Sequence, residues 1–181
     1  MDFYFFKEGY IRTSAEEFSV ADINNYFIHL TNNAIQKNSS SYGLFENGNQ
    51  LSFKDLERYA GEEETQKIWS KMKESAFMTF SSVKKKINQG NRKFCFELYG
   101  LDYIIDEELK VWLIEVNENP CLECSSPLLS SLIPRMINDA FRLTVDQIFC
   151  EKKPTEKLYP VAGYKDNENL WEHLCALQPN V

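Results

Sequence analysis

The sequence predicts an α+β fold in which a β-hairpin packs against amphipathic helices. The first observation is an apolar stretch at residues 94–120, where two runs rich in aromatic and β-branched residues flank an acidic turn. The second is a pair of helical patterns at residues 52–61 and 62–87, with apolar side chains spaced three and four apart. A third helical pattern follows at residues 126–148, so the hairpin lies between helices along the chain.

Residues at the helix ends set the boundaries of these helices. Ser52 is a typical N-cap residue, and Gly61 is a typical terminator of the helix that Ser52 begins. Ser126 followed by Pro127 predicts the start of the last helix, because proline is well tolerated at the first helical position. Pro134 lies inside that helix, where we expect it to kink or restart the helix.

Composition excludes several classes of protein. The chain has 181 residues, of which 43% are hydrophobic and 14% aromatic, enough for a folded core. Its net charge of −7 argues against nucleic acid or an anionic membrane surface as the main partner. No apolar run approaches the roughly 18 residues of a membrane span. Five scattered cysteines favour reduced, cytosolic thiols, and the isolated Cys121–Cys124 pair lacks the further ligands of a zinc site.

Three oxygen-bearing side chains interrupt the apolar hairpin. Glu115 and Asn117 are two residues apart in the second run, so on a strand they point to the same face. The acidic turn at residues 106–108 returns the chain and brings Asp102 nearly opposite Glu115. Two carboxylates and an amide oxygen on one face would suit Mg²⁺, which prefers hard oxygen ligands and keeps positions for water and phosphate. A solvated strand face is the other explanation for carboxylates at these positions.

The same hairpin resembles the magnesium-binding hairpin of the tubulin–tyrosine ligase family, which belongs to the ATP-grasp superfamily. That family has an Asp in the first strand and Glu-x-Asn at the end of the second, and the string WLIEVN is intact here. The resemblance implies that Asp102, Glu115 and Asn117 bind a Mg²⁺ ion that bridges the phosphates of ATP.

Two upstream segments resemble the same family. The string GYIRT is similar to a family stretch whose arginine lies in the active site, which implies a catalytic role for Arg12 in holding a carboxylate or an acyl-phosphate. The string HLTNNAIQK is similar to a segment that contacts the nucleotide, which implies that Thr31 and Asn32 bind ATP. Residues 26–33 predict a strand that runs into these polar residues. We expect His29 to be structural, with a general base as the alternative.

The resemblance covers about residues 1–150 and implies the later half of an ATP-grasp fold. Residues 151–181 show weak periodicity, and we expect a weakly structured tail that docks a short helix around Trp171 or stays loose. Only eleven residues precede Arg12, so we expect the front half of the catalytic module, with its phosphate-binding lysines, to be absent.

The implied reaction is an ATP- and Mg²⁺-dependent ligation. ATP converts a protein carboxylate to an acyl-phosphate, which the amine of a free amino acid then attacks. The expected amino acid is glutamate, and the expected acceptor is the acidic C-terminal tail of tubulin, in the cytoplasm at the cytoskeleton or cilium. Neither nucleic acid nor a membrane is an expected partner. The alternative is a non-catalytic remnant or binding module of the family.

One basic cluster stands out in this acidic sequence. Lys84, Lys85 and Lys86 lie near the C-terminal end of a predicted helix, where positive charge complements the helix dipole. Arg92 and Lys93 follow within a few residues and complete the cluster. A solvated surface is the simplest explanation of these five charges.

Overall fold

The computed structural model describes residues 1–149 and 159–176, along which six strands, six α-helices and one short 3-10 helix (Asn47–Asn49) follow one another. The strands are β1 (Asp2–Phe6), β2 (Tyr10–Arg12), β3 (Gln50–Ser52), β4 (Gly100–Ile105), β5 (Val111–Asn117) and β6 (Trp171–Ala176). The helices are α1 (Tyr26–His29), α2 (Asn33–Gln36), α3 (Phe53–Ala60), α4 (Glu62–Val83), α5 (Pro127–Leu143) and α6 (Asp146–Phe149). The result is a mixed α and β fold with small antiparallel sheets, in agreement with the predicted class.

The strands form three two-stranded antiparallel sheets: β1 with β6, β2 with β3, and β4 with β5. The β4–β5 pair is the predicted hairpin, and Asp102 lies opposite Glu115 in its register. Its first strand begins at Gly100, although the sequence predicts a start at residue 94. Phe94 has a φ of 56°, in the left-handed region that interrupts an extended strand. The predicted pairing of Asp102 with Glu115 is therefore confirmed, beyond a register shift between Asp102 and Tyr103, and the predicted length of the first strand is not.

Helix α4 joins the hairpin to β1. Four residues of its predicted apolar stripe are buried, namely Ile68, Met72, Ala76 and Phe80. The helix ends at Val83, before the predicted end at residue 87. The ring of Phe3 in β1 stacks on Phe80 with 4.7 Å between centroids. From the hairpin, the hydroxyl of Tyr103 donates to the Met72 carbonyl at 2.9 Å. The hairpin is thus packed by a helix, as the sequence predicts.

Capping fixes the start of α3. The Ser52 hydroxyl accepts a hydrogen bond from the Asp55 amide, and the Asp55 carboxylate accepts one from the Ser52 amide. This reciprocal pair satisfies two backbone donors that have no partner inside the helix. Helix α5 begins at Pro127 after the predicted N-cap Ser126, and it continues through Pro134 without restarting.

Residues 26–33, predicted as a strand, instead form α1 and the start of α2. The Asn25 side chain caps α1 by accepting from the Phe27 amide at 3.0 Å. The buried Gln36 amide then donates to the carbonyls of Phe27 and Leu30, at 3.1 and 2.6 Å. These two carbonyls therefore need no partner strand, and the pattern of apolar residues misleads because a glutamine side chain six to nine residues later supplies the bonds.

The C-terminal segment forms a strand, β6, so the short helix expected around Trp171 is wrong. Two fully buried side chains of α5, Arg135 and Asp139, hold the segment that leads to β6. Arg135 donates to the carbonyls of Tyr159, Lys165 and Glu168, while Asp139 accepts from the Leu170 amide. The expected boundary at residue 150 falls outside the described residues.

Candidate functional site

Arg12 and Asp102, which are 90 residues apart in sequence, meet in the structure. Strand β2 pairs with β3 so that Arg12 lies opposite Gln50. The Gln50 side chain accepts a hydrogen bond from the hydroxyl of Ser126 at 2.6 Å, which ties this sheet to the start of α5. Arg12 Nη2 lies 3.3 Å from Asp102 Oδ2, and both side chains are about one-third exposed. Two residues that the resemblance places in an active site therefore form one ion pair.

Glu115 and Asn117 lie side by side on the hairpin. Asn117 Nδ2 donates to Glu115 Oε1 at 3.2 Å, which confirms that the two side chains share a face of β5. Directly opposite residues of an antiparallel pair also share a face, so Asp102 and Gly100 lie on this same side, across from Glu115 and Asn117. The cluster formed by Arg12, Asp102, Glu115 and Asn117 is hereafter called the hairpin site.

The oxygen donors of the hairpin site fit a hard divalent cation. Two carboxylates provide charge, and one amide adds a neutral oxygen without further repulsion. Only one oxygen of each carboxylate has a described partner, since Arg12 contacts Asp102 Oδ2 and Asn117 contacts Glu115 Oε1. Asn117 presents its nitrogen to Glu115, so metal binding would require the amide to turn its oxygen inward, which is a rotation about one side-chain bond.

Gly100 and Pro120 hold the end of the hairpin that carries Asn117. A Cβ atom placed on Gly100 would lie 2.9 Å from the Pro120 side chain and 3.8 Å from Asn117 Cβ. Only glycine leaves room for this close approach. The loop after β5 therefore folds back over Gly100 and fixes the position from which Asn117 extends.

Tyr10 is a neighbour of the hairpin site that the sequence did not single out. It lies two residues before Arg12 on β2, so both side chains point to the same face. Partial burial raises the pKa of the Tyr10 hydroxyl; Arg12 opposes this rise, while the Asp102 carboxylate adds to it. Tyr10 is therefore a neutral hydrogen-bond donor near neutral pH. The sequence signal that could have identified Tyr10 is its spacing of two residues from Arg12 in a predicted extended segment.

The structure places Thr31 and Asn32 in a separate segment. Asn32 is the N-cap residue of α2, and its exposed side chain forms no capping hydrogen bond. Among the described contacts, none joins Thr31 or Asn32 to the hairpin site. The link is indirect: the Gln36 side chain accepts from the amide of Ala15 at 2.7 Å, three residues after Arg12. The expected contact of Thr31 and Asn32 with a nucleotide stays a prediction.

Two other candidates from the sequence have ordinary surroundings. His29 Nε2 lies 2.9 Å from the backbone oxygen of Asp22, which agrees with a structural histidine. Cys121 and Cys124 are exposed free thiols. Within residues 1–149 and 159–176, no group of three or more His, Cys, Asp or Glu side chains is placed to hold a metal ion. No helix in the same ranges has the length and apolar character to cross a membrane.

Comparison with known proteins gives the family. The Tubulin-tyrosine ligase family matches residues 1–154, which include every residue of the hairpin site and both Thr31 and Asn32. The chain belongs to the tubulin-tyrosine ligase family. The resemblance seen in the hairpin string and the two upstream segments is thereby confirmed.

Several members of the tubulin-tyrosine ligase family are about one-third identical to this chain. Tubulin glycylase 3B of Tetrahymena thermophila is 32% identical over 167 residues, covering 90% of this chain and 14% of the relative. Tubulin polyglutamylase TTLL5 of Homo sapiens is 31% identical over 175 residues, covering 87% and 14%. Probable tubulin polyglutamylase TTLL9 of Mus musculus is 32% identical over 165 residues, covering 89% and 34%. The chain thus spans about one-third or less of the length of these relatives.

Proposed function

We propose that this chain is part of an ATP- and Mg²⁺-dependent ligase that joins glutamate to a carboxylate of tubulin. The observation that carries the proposal is the hairpin site, where Arg12 meets Asp102 on a hairpin face that also presents Glu115 and Asn117. Family membership and the names of the relatives, which are tubulin glycylases and polyglutamylases, support a tubulin-modifying ligase. The identity of the amino acid rests on the proposal alone, because glycylases and polyglutamylases match about equally well.

The residues of the hairpin site have distinct roles in this proposal. Asp102, Glu115 and Asn117 would hold Mg²⁺, which when bound neutralises charge on phosphate oxygens. Arg12 offers a planar guanidinium that can bind a carboxylate or an acyl-phosphate through two parallel hydrogen bonds. No covalent nucleophile of the protein is needed, since the acceptor carboxylate is activated by ATP and attacked by the free amine.

Thr31 and Asn32 would contact the nucleotide in the same proposal. They precede α2, whose Gln36 is tied to the backbone just after Arg12. This hydrogen bond supports the proposal by linking the segment that would contact the nucleotide to the segment that carries Arg12. We also propose residues 1–150 as the catalytic portion, and the cytoplasm, at the cytoskeleton or cilium, as the location.

Transfer of labelled amino acids tests the proposal. The gene product that contains this chain is incubated with ATP, Mg²⁺ and purified tubulin, with radiolabelled glutamate, glycine or tyrosine in separate reactions. Incorporation of glutamate is the expected result. Incorporation of glycine or tyrosine instead would show that the proposed amino acid is wrong and that the proposed reaction, an ATP-dependent ligation, is right. Absence of transfer of all three, to tubulin and to proteins of a cell extract, would leave the non-catalytic binding module as the function.

A matched pair of variants tests the metal site within the same assay. Glu115→Gln keeps the shape of the side chain and removes a charge, so we expect a folded protein without Mg²⁺-dependent ATP binding. Glu107→Gln, in the turn of the same hairpin, removes an equal charge away from the hairpin site and should bind normally. Equal binding by the two variants would contradict the role of Glu115.

A further inference from the structure

A pocket of about 300 Å³, hereafter the Trp69 pocket, opens where α3 and α4 meet the turn between β1 and β2. Its lining includes Glu8 from that turn, Phe53 and Glu57 from α3, Trp69 from α4, and Tyr164 from the segment that leads to β6. No residue of the hairpin site lines it. Its volume lies at the lower end of the range of small-ligand sites, about 300–1,000 Å³, so it suits a single side chain better than a nucleotide.

Packed aromatic rings form one wall of the Trp69 pocket. The ring of Phe53 meets the Trp69 ring edge to face with 4.7 Å between centroids, and Phe5 meets it edge to face at 5.2 Å. Gly9 lies against Phe53, because a Cβ atom placed on Gly9 would be 2.9 Å from a ring carbon. These contacts hold the Trp69 ring in place, so a ligand that binds against it need not order it first.

The indole N–H group of Trp69 differs from those of the other two tryptophans. The Trp112 indole donates to Asp106 Oδ2 at 2.8 Å, and the Trp171 indole donates to the Met136 carbonyl at 3.0 Å. Among the described residues, no acceptor contacts the indole nitrogen of Trp69. Trp69 therefore offers a ligand both a ring face and an unused hydrogen-bond donor.

Two carboxylates line the Trp69 pocket without a basic partner. Glu8 Oε1 accepts from the hydroxyl of Tyr164 at 2.8 Å. Burial raises the pKa of Glu8 and the Glu57 carboxylate adds to the rise, while the hydrogen bond from Tyr164 and the charge of Lys54 oppose it. Neither carboxylate forms an ion pair with any residue that the structure describes. A further cation would therefore stabilise both carboxylates.

The two lysines of the Trp69 pocket leave these carboxylates unpaired. Lys7 is paired with Glu168 at 2.7 Å. Lys54 Nζ donates to the carbonyl of Ala162 at 3.4 Å, a long hydrogen bond, and lies beside Gly163, where an added Cβ atom would be 2.7 Å from it. Lys54 is therefore the one unpaired cation against two carboxylates among the described lining residues, and the pocket keeps an excess of negative charge.

We propose that the Trp69 pocket binds the guanidinium group of an arginine side chain presented by a peptide segment of a partner protein. A guanidinium can stack on the Trp69 ring while its N–H groups donate to the carboxylates of Glu8 and Glu57. The indole N–H can donate to a backbone carbonyl of the same peptide. This binding needs neither ATP nor the hairpin site, so it goes beyond the proposed ligase function and stands apart from it.

NMR spectra of the intact ¹⁵N-labelled chain test the proposal. Its three tryptophans give three indole N–H signals, and the Trp69 signal is the one that Trp69→Phe removes. Titration with Nα-acetyl-arginine-N-methylamide should shift that signal with a Kd on the order of 1 mM and leave the other two signals unchanged. The citrulline counterpart carries a neutral urea group in place of the guanidinium and should bind at least about tenfold more weakly.

Single substitutions test the carboxylates and the lysine. Glu8→Gln should weaken binding about tenfold, and the more exposed Glu57→Gln about threefold, because each loses a charge-assisted hydrogen bond. The control Glu17→Gln removes an equal charge outside the pocket and should change binding less than about twofold. Lys54→Gln removes a competing cation and should tighten binding about twofold.

Five outcomes would overturn the proposal. They are an unchanged Trp69 signal up to about 20 mM probe, equal binding of the citrulline counterpart, equal effects of Glu57→Gln and Glu17→Gln, tighter binding of Nα-acetyl-glutamate than of the arginine probe, and binding of methylguanidinium as tight as that of the arginine probe. Thermal melting shows whether Glu8→Gln, which alters the contact with Tyr164, remains folded. If it does not, Glu57→Gln on the surface of α3 decides the role of the carboxylates.

Discussion

Replacement of Asp139 by asparagine tests how the C-terminal segment is held. Asp139 and Arg135 are fully buried, and Arg135 Nε lies 2.7 Å from Asp139 Oδ2. The same Asp139 oxygen accepts from the Leu170 amide at 2.9 Å. In Asp139→Asn the guanidinium stays buried without its counter-charge, although three backbone carbonyls still accept its hydrogen bonds.

The size of the expected loss in unfolding free energy follows from the burial of the Arg135–Asp139 pair. Loss of one partner of a buried ion pair costs about 3–5 kcal/mol of unfolding free energy. We expect Asp139→Asn to cost about 3 kcal/mol, the lower end of this range, because Arg135 keeps its carbonyl acceptors and asparagine keeps the shape of the side chain. For a chain of this size, that corresponds to a decrease in melting temperature of roughly 6–12 °C. Glu74→Gln, which removes one partner of the exposed Lys71–Glu74 pair, should cost less than about 0.5 kcal/mol.

Thermal and urea unfolding of the two variants measure the difference. The double variant Arg135→Met/Asp139→Leu removes both charges and should recover part of the lost stability, because apolar side chains fill the site without an unpaired charge. If Asp139→Asn is no less stable than Glu74→Gln, the buried pair does not hold the segment, and the argument is wrong. A double variant less stable than Asp139→Asn would show that the carbonyl bonds of Arg135 dominate instead.

Two further predictions concern the hairpin. Gly100→Ala should cost about 1–3 kcal/mol of unfolding free energy, because the new Cβ would overpack against Pro120. The control Gly90→Ala should cost less than about 1 kcal/mol, since its new Cβ would lie 4.0 Å from the nearest neighbouring atom. Urea unfolding of the two variants measures the difference. Burial raises the pKa of Tyr103 to about 12 from the ordinary tyrosine value of 10.0. Between these two pH values the folded state keeps a proton that the unfolded state loses, so stability should fall as the pH rises through this window. Tyr103→Phe should lose about 1 kcal/mol near pH 8, where its bond to Met72 is missing, and show a shallower fall above pH 10; parallel curves would refute this reasoning.

Local geometry made several features predictable. The shared face of Glu115 and Asn117 follows from the period of two along a strand, which depends on nearby residues. The pairing of Asp102 with Glu115 also needs the register shift between Asp102 and Tyr103, without which Asp102 would lie opposite Ile114. The α4 stripe and the Ser52 cap depend on spacings of three and four residues, which are also local. These predictions succeeded because each cause lies within about one turn of helix or one hairpin.

Features that depend on one particular partner, and not on a repeating pattern, were not predictable in the same way. Residues 26–33 have an apolar pattern suited to a strand, yet the Gln36 side chain donates to the carbonyls of Phe27 and Leu30 in place of a partner strand. The strand β6 forms because β1 offers an open edge, and its pairing joins residues about 170 positions apart. Propensity along one segment carries no information about such partners.

The ion pair between Arg12 and Asp102 explains how two facing carboxylates are stable in the hairpin site. Two carboxylates that face each other, such as those of Asp102 and Glu115, repel unless a cation lies between them or one of them is protonated. The structure adds a resident cation, because Arg12 neutralises Asp102 while Asn117 donates to Glu115. Arg12 is thus positioned by the same carboxylate that would bind Mg²⁺. In the proposed ligase, metal binding to Asp102 would weaken its hold on the guanidinium, which frees Arg12 to bind the acyl-phosphate. Substrate binding and metal binding would then be coupled through a single side chain.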